Sequence, residues 1–342
     1  MKYSFLVPVY NSQKTLGICL ESLINQKFKG EYEVIVYNDC SNDGSRDVCL
    51  TFVQKYPNIV RLIEGTVNIG LYEGRIELFK NSTGDVVLFV DSDDYVSDNL
   101  LNVIDAVFDK IPDVDVVIYD FVATYNIANF FEFKKKIKNL DLPEEIVLSK
   151  YEILEEISKG NLNAVWRKAF RRTIFDVNEI SNHSKKLSVA EDLVFSTYMI
   201  SKATNIVYLN KYLYFYVHPP KSMTHSSWNI EKIDSFCYAL SYASSYIMQT
   251  NDQKIKESYR NYVFSALQSM ILGVLCTKEA GEKRKLLLRI VEDEYVHRYL
   301  INEGDDVSKC LILKDWNKLE KIYKKKVHLK RLKGNIRRMI LR

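Results

Sequence analysis

Along the first 120 residues, short apolar runs alternate with longer segments that are apolar on one side only. The runs are Tyr3–Val7, Glu33–Tyr37, Asn58–Ile63, Asp85–Val90 and Val114–Tyr119, and each reads as a buried strand. Between them, Lys14–Gln26 repeats apolar residues at Leu16, Cys19, Leu20, Leu23 and Ile24, which is a helical stripe. Asp43-Gly44-Ser45 opens a second helix to about Lys55, and Leu71–Lys80 and Ser97–Lys110 are two more. Strands alternating with helices predict a mixed, mostly parallel sheet flanked by helices, which binds ligands beyond the carboxyl ends of its strands. Asp120–Ser149 is irregular and contains Lys134-Lys135-Lys136, so it reads as an insertion or edge hairpin. Tyr151–Lys159, Ala190–Ser201 and short strands at Ile206–Leu209 and Tyr212–Val217 complete a first domain, 1–227. Helical periodicity then dominates: Asn229–Thr250, Lys254–Cys276, Ala280–Asn302 and a last stretch from Asp315. This predicts a helical region over 228–320 and a basic amphipathic tail over 321–342.

Composition narrows the class. With 47% hydrophobic and 27% charged residues over 342 positions, the chain is globular and not disordered. The six cysteines form no C-x-x-C pair and no zinc-ligand spacing, so free thiols in a reducing compartment are expected. The N-terminal apolar stretch breaks at Pro8, too soon for a signal peptide. Ser235–Asn251 and Asn261–Thr277 lack charge but contain Ser, Gln, Asn and Tyr, which suits core helices better than membrane spans. The net charge of +4 is uneven: Lys321–Arg342 holds ten Lys/Arg and no acid, so residues 1–320 carry 38 basic and 44 acidic residues, a net of −6. A basic amphipathic end suits an anionic membrane surface, with a solvated tail as the plain alternative. No base-reading motif accompanies it, so nucleic acid is not expected as a partner.

The candidate chemistry sits mostly at strand ends. Pro8-Val9-Tyr10-Asn11 follows the first strand and reads as a turn with a helix cap, or as one wall of a ligand site. Asn38-Asp39-Cys40-Ser41-Asn42-Asp43-Gly44-Ser45 follows the second; Asp39 can accept hydrogen bonds from a base or ribose, while Asp43 or Ser45 caps the next helix. Asn68-Ile69-Gly70 precedes a helix bearing Arg75, which is either solvated or placed to meet a diphosphate. Asp91-Ser92-Asp93-Asp94 ends an apolar strand with three carboxylates, which a hard divalent cation would stabilise. Glu191-Asp192 opens an apolar helix, as dipole partners or as a general base.

Taken in order, these motifs resemble the family-2 inverting glycosyltransferases with the GT-A (Rossmann-like) fold. The likeness covers about Lys2–Thr224. It runs without a gap from Asn68-Ile69-Gly70-Leu71 through Arg75 and Thr83-Gly84-Asp85 to Asp91-Ser92-Asp93-Asp94-Tyr95. It resumes at Trp166-Arg167-Lys168, Glu191-Asp192-Leu193, Tyr212-Leu213-Tyr214-Phe215-Tyr216 and Ser222-Met223-Thr224. The resemblance implies roles. Pro8, Val9 and Tyr10 would line the base pocket, Asp39 would bind the base, and Asn68, Arg75, Asp91 and Ser92 would belong to the nucleotide-sugar site. Asp93 would hold Mg2+ or Mn2+ on the diphosphate. Asp192 would be the general base, with Glu191 beside it, and Trp166 and Asp94 would stand on the sugar and acceptor side. A nucleotide-sugar donor, typically a UDP-sugar in this family, and a glycan or lipid-linked acceptor of a bacterial surface polysaccharide pathway are the implied partners. The implied place is cytoplasmic, peripheral on the inner face of the plasma membrane. The C-terminal helices would either pair two copies into a homodimer or pack on the catalytic domain.

Several positions depart from the family pattern: Asn38 for Asp, Cys40 and Leu78 for Gly, Ile76 for Asn, Arg167 for Asn and His218 for Arg. Cys40 in a turn predicts a strained backbone or an altered base pocket. A sugar nucleotidyltransferase is disfavoured because Asn11-Ser12-Gln13-Lys14 lacks the Gly-rich loop, and a dehydrogenase because no G-x-G-x-x-G follows strand one. An inactive scaffold in a polysaccharide-assembly complex is disfavoured by the intact Asp91, Asp93 and Asp192.

Overall fold

The computed structural model describes residues 1–124, 146–148, 150–181, 187–217, 227–277 and 279–340. The expected insertion over Asp120–Ser149, and the family positions at His218 and Ser222–Thr224, lie largely or wholly outside the described residues. The chain forms two compact units. One comprises Met1–Lys186 and Glu191–Ser222; the other comprises Leu187–Ala190 and Met223–Arg342. The short strap Leu187–Ala190 thus belongs with the second unit, which a single boundary near residue 227 does not anticipate.

Among the described residues, the first unit holds a nine-stranded sheet. Its strands are β1 (Tyr3–Val9), β2 (Tyr32–Asn38), β3 (Val60–Glu64), β4 (Val86–Phe89), β5 (Tyr95–Val96), β6 (Val116–Thr124), β7 (Ile146–Leu148), β8 (Lys168–Arg171) and β9 (Ile206–Val217). The order is β3-β2-β1-β4-β8-β6-β9-β5, with β7 on β9. Its helices are α1 (Leu16–Ile24), α2 (Ser45–Lys55), α3 (Leu71–Asn81), α4 (Leu100–Lys110), α5 (Lys150–Ser158), α6 (Val177–Ser181) and α7 (Glu191–Lys202). Every residue of β1 is buried, as a central strand covered on both faces must be. On α1, the predicted stripe Leu16, Cys19, Leu20 and Leu23 is the buried face.

Local pattern and tertiary structure part company at a few points. β1 does not stop before Pro8; Pro8 pairs with Tyr37 of β2. It is tolerated because pairing to β4 on the other side has already ended at Leu6, so no partner there requires its missing N–H. The two strands expected at 206–209 and 212–217 are one strand, β9, with an irregularity where the partner of β6 jumps from Leu209 to Tyr212. The antiparallel β8 inserts between β4 and β6.

The ends of the strands opposite the ligand side are tied by polar side chains. Thr83 donates through both N–H and hydroxyl to Glu33 Oε1, and Gly84 N–H donates to Ser4 Oγ at 2.8 Å. A Cβ on Gly84 would lie 2.5 Å from that hydroxyl. The Thr83-Gly84-Asp85 motif is therefore a strand anchor.

The second unit is helical: α8 (Ile230–Ile247), α9 (Gln253–Leu275), α10 (Ala280–Glu292), α11 (Glu294–Glu303), α12 (Asp306–Ile312) and α13 (Trp316–Ile340). The single helix expected over 280–302 is broken at Asp293, whose carboxylate caps α11 by accepting from Val296 N–H at 3.1 Å. The expected boundary at 320 falls inside α13, where Leu319 and Tyr323 are both buried. Among the described residues no helix is long and apolar enough to cross a membrane.

Candidate active site

The loops that follow β1 and β2 are stitched together. Asn11 N–H donates to Ser41 Oγ, and Asn42 N–H returns the bond to Asn11 Oδ1. Gln13 N–H donates to Asp43 Oδ2 while Gly44 N–H donates to Gln13 Oε1. Two residues take left-handed backbone in this weave, Asn11 (φ 52°) and Cys40 (φ 57°). Asparagine tolerates that region; a cysteine held there costs about 1–2 kcal/mol, so the strain expected at Cys40 is present. Val9 is buried, and Tyr10 stands 47% exposed at the mouth of the loop.

Asp39 bridges to the next loop. Its Oδ1 accepts from Ile69 N–H at 2.7 Å and its Oδ2 from Gly70 N–H at 2.8 Å. Asn68 Nδ2 donates to the Asp39 carbonyl. Gly70 has φ 92°, a conformation that turns its amide to the carboxylate and that side-chain-bearing residues rarely adopt. Each Asp39 oxygen keeps a second lone pair for a ligand.

Asp91-Ser92-Asp93-Asp94 closes on itself, Asp94 N–H donating to the Asp91 carbonyl at 3.1 Å. Ser92 Oγ meets Ser12 Oγ at 2.7 Å, joining this loop to the first. Asp94 was expected on the sugar side, but the structure turns it inward. It is 1% exposed, with Oδ1 accepting from Val217 N–H and Oδ2 from the Tyr214 hydroxyl, both at 2.7 Å.

Arg75 gathers the acidic residues. Its guanidinium is fully buried and reaches Asp91 Oδ1 at 3.0 Å, Asp192 Oδ1 at 2.7 Å and Glu191 Oε1 at 3.4 Å. The expectation that Arg75 itself contacts the nucleotide is not what this geometry provides: it stands behind the carboxylates. Glu191 and Asp192 occupy the first turn of α7, directly after Ala190 in left-handed backbone (φ 61°). Asp192 is the more open of the two, its side chain 27% exposed against 15% for Glu191.

An aromatic wall stands beside the acids. Trp166 stacks on Tyr214 (ring centroids 4.4 Å, 21°) and Tyr216 (5.6 Å, 11°), with Phe121 edge-on at 5.0 Å. Trp166 is only 7% exposed and belongs to the main core of the unit. Neither Tyr214 nor Lys168 stands out by sequence chemistry. Lys168 is fully buried, donating to the carbonyls of Leu162 and Ala164 and to Ser196 Oγ on α7. The apolar alternation of β9 and the Trp-Arg-Lys motif were the available signals, and neither distinguishes a structural side chain from a functional one.

Burial and neighbouring charge set the acids apart. Burial, then the Asp91 charge, push Asp93 up to about 6. Burial and the Asp93 and Asp91 charges push Asp94 up to about 9. Burial and Asp192 push Glu191 up to about 7 against the pull of Arg75. Asp94 is consumed by its two bonds, whereas Asp91 commits only Oδ1 to Arg75 and Asp93 is partly exposed, so Asp93 and the second oxygen of Asp91 are the groups in this loop that could meet a cation. Among the described residues no three His, Cys, Asp or Glu side chains gather closely enough to hold a metal alone. Mg2+ or Mn2+ on a diphosphate needs only one or two carboxylates, so the residues present fit such an ion.

Residues 4–177 match the family described as Glycosyl transferase family 2. The chain is 44% identical over 103 residues to a poly(ribitol-phosphate) beta-glucosyltransferase of Bacillus spizizenii, covering 30% of this chain and 16% of that protein. It is 30% identical over 224 residues to the poly(ribitol-phosphate) beta-N-acetylglucosaminyltransferase TarS of Staphylococcus aureus, covering 63% of this chain and 35% of TarS. The chain thus spans about a third or less of the length of these relatives. The crystal structure of TarS 1–349 with UDP-GlcNAc superposes with a TM-score of 0.70 at 21% identity, over 95% of this chain and 92% of that one. A mannosyltransferase of Pyrobaculum calidifontis, solved with GDP-Man and Mn2+, gives 0.51 at 15% identity, over 92% of this chain and 79% of that one. Both structural likenesses show the GT-A fold.

The raised carboxyl of Glu191 makes stability depend on pH. In the unfolded chain it titrates near 4.3 and in the fold near 7, so the folded state binds the extra proton between these values. Its contribution is fully present below about pH 4 and is lost as pH rises through about 7. Thermal denaturation of the metal-free protein from pH 5.5 to 8.5 is expected to show a steeper fall for wild type than for Glu191→Gln. Parallel curves would show that Glu191 does not titrate in this window.

Proposed function

Because the chain belongs to glycosyl transferase family 2, we propose that it is an inverting, divalent-cation-assisted glycosyltransferase. It moves a sugar from a UDP-sugar to a hydroxyl of a glycan or lipid-linked acceptor in bacterial surface-polymer synthesis. The observation that carries this reading is the Arg75 cluster. One guanidinium joins Asp91, at the end of β4, to Glu191 and Asp192, a hundred residues later on α7. This sets a candidate base next to the loop that carries Asp93. The likeness to poly(ribitol-phosphate) transferases supports a hydroxyl on a phosphate-linked polymer as one acceptor class.

In this reading the uracil edge meets the remaining lone pairs of Asp39, and Tyr10 stands at the pocket mouth. Asp93 holds the cation, with Asp91 beside it. The bound cation supplies neutralisation of the charge that develops on the departing diphosphate. Asp192 accepts the acceptor's hydroxyl proton as the oxygen attacks from the face opposite the leaving group, so one displacement inverts the anomeric centre. Arg75 and Glu191 hold Asp192 in place. Of the aromatic stack beside the acids only Tyr216 is partly exposed, with Trp166 and Tyr214 backing it from the core.

The exposed lysines at 321, 324, 325 and 326 on α13 support a second element, together with six further Lys/Arg after His328. This basic end attracts an anionic lipid surface at about 1 kcal/mol per charge, which brings the enzyme to a lipid-linked acceptor.

Asp192→Asn is expected to lower transfer about 10²–10⁴-fold with UDP affinity retained; near-normal turnover would remove Asp192 from the role of base. Excess EDTA should abolish transfer and added Mn2+ should restore it, whereas full activity in EDTA would leave Asp93 without a cation. For the basic end, the chain truncated after His328 keeps the packed turns of α13. With six of its ten basic residues removed, it should co-sediment with anionic liposomes more weakly than the full chain; binding equal to that of the full chain would sink the anchor.

A further inference from the structure

Tyr214 takes no part in the reaction as drawn, yet its hydroxyl has both of its bonds on the acidic loop. Asp91 N–H donates to Tyr214 Oη at 3.2 Å, and that oxygen donates to Asp94 Oδ2 at 2.7 Å. The other oxygen of Asp94 accepts from Val217 N–H, three residues along the same strand. Register explains the placement: β5 follows the loop immediately, and its Val96 pairs with Tyr214. The ring of Tyr214 meanwhile stacks on Trp166 at 4.4 Å. Stacking alone needs only a ring. A hydroxyl is required because one atom must accept from an amide and donate to a carboxylate, which Phe cannot do.

We propose that Tyr214 is a positioning residue: it straps both ends of the Asp91–Asp94 loop to β9, so that Asp93 is presented to the cation and diphosphate in one fixed arrangement. The strap acts through Asp94, whose carboxylate is consumed by it. Because the same ring carries Trp166, the cation loop and the aromatic wall are registered by a single side chain. This inference rests on the donor site proposed above.

Tyr214→Phe keeps the ring and removes only the hydroxyl. In calorimetry on the full chain, the Kd for UDP in the presence of Mn2+ should rise about tenfold. UDP affinity in EDTA, which reports the base and ribose end, should stay within about twofold. Asp94→Ala removes the other half of the strap and should weaken the Mn2+-dependent affinity alike. The double variant should be no weaker than the worse single one, as coupled residues require. Unchanged Mn2+-dependent affinity in Tyr214→Phe, or additive losses in the double variant, would overturn the inference. Should Tyr214→Phe be unfolded at the assay temperature, Asp94→Ala carries the comparison: wild-type affinity there also overturns it. A wild-type protein that binds neither UDP nor Mn2+ would overturn the functional reading, and this inference with it.

Discussion

A guanidinium with no exposure to water dictates the arrangement around it. Arg75 cannot give up its proton, and taking its charge out of water costs several kcal/mol unless anions surround it. Phe89 and Phe195 lie about 6 Å from it and offer no counter-charge, so Asp91, Asp192 and Glu191 must. The reverse is equally binding, because three carboxylates would not share this space without a cation. Lysine would not substitute: the planar fork sends one nitrogen to the loop after β4 and the other to α7. The cluster still carries more negative than positive charge. That excess, with burial, favours protons on Asp91 and Glu191.

Around this centre the sheet divides its labour by end. At the amino ends of β1, β2 and β4, polar side chains such as Glu33 and Ser4 bind backbone amides and hold strands in register. At the carboxyl ends, the same kinds of residue hold loops to one another. Asp39 spends one lone pair of each oxygen on the loop before α3, so the loops after β2 and β3 are braced against each other. Carboxylates that look alike in sequence thus serve different ends: Asp39 and Asp94 brace, Asp91 neutralises, and Asp93 and Asp192 stay accessible.

Much of this was legible beforehand, for a physical reason. The strands β1 to β4 and helices α1 to α4 follow from hydrophobic period because burial on a central sheet imposes that period directly. The acidic motifs at strand ends were visible because a polar cluster after an apolar run has few structural uses. What was hidden depends on partners far away in the chain. Nothing local to Lys168-Ala169-Phe170-Arg171 says that it inserts antiparallel between β4 and β6. Arg75 has the composition of a surface residue, and only the approach of α7 buries it. The inward turn of Asp94 depends on Tyr214, 120 residues later. Asp293 reads as one more polar residue on a helix, yet it caps the next one. Residue type alone could not separate bracing from chemistry.

The position of β9 has a consequence for how the chain reaches this state. β9 pairs with β6, β7 and, near its end, with β5, whose residues precede it by more than a hundred positions. Such distant pairings form late, since the intervening loop must close first. On a ribosome the four strands β3-β2-β1-β4 can assemble as soon as they emerge. The acidic loop then waits, with Asp94 and its neighbours hydrated, until residues 206–217 have been made. A nascent chain therefore acquires the β3-β2-β1-β4 half of the sheet early, and the Asp91–Asp94 loop its bonds to Tyr214 and Val217 only once residues 206–217 have been made.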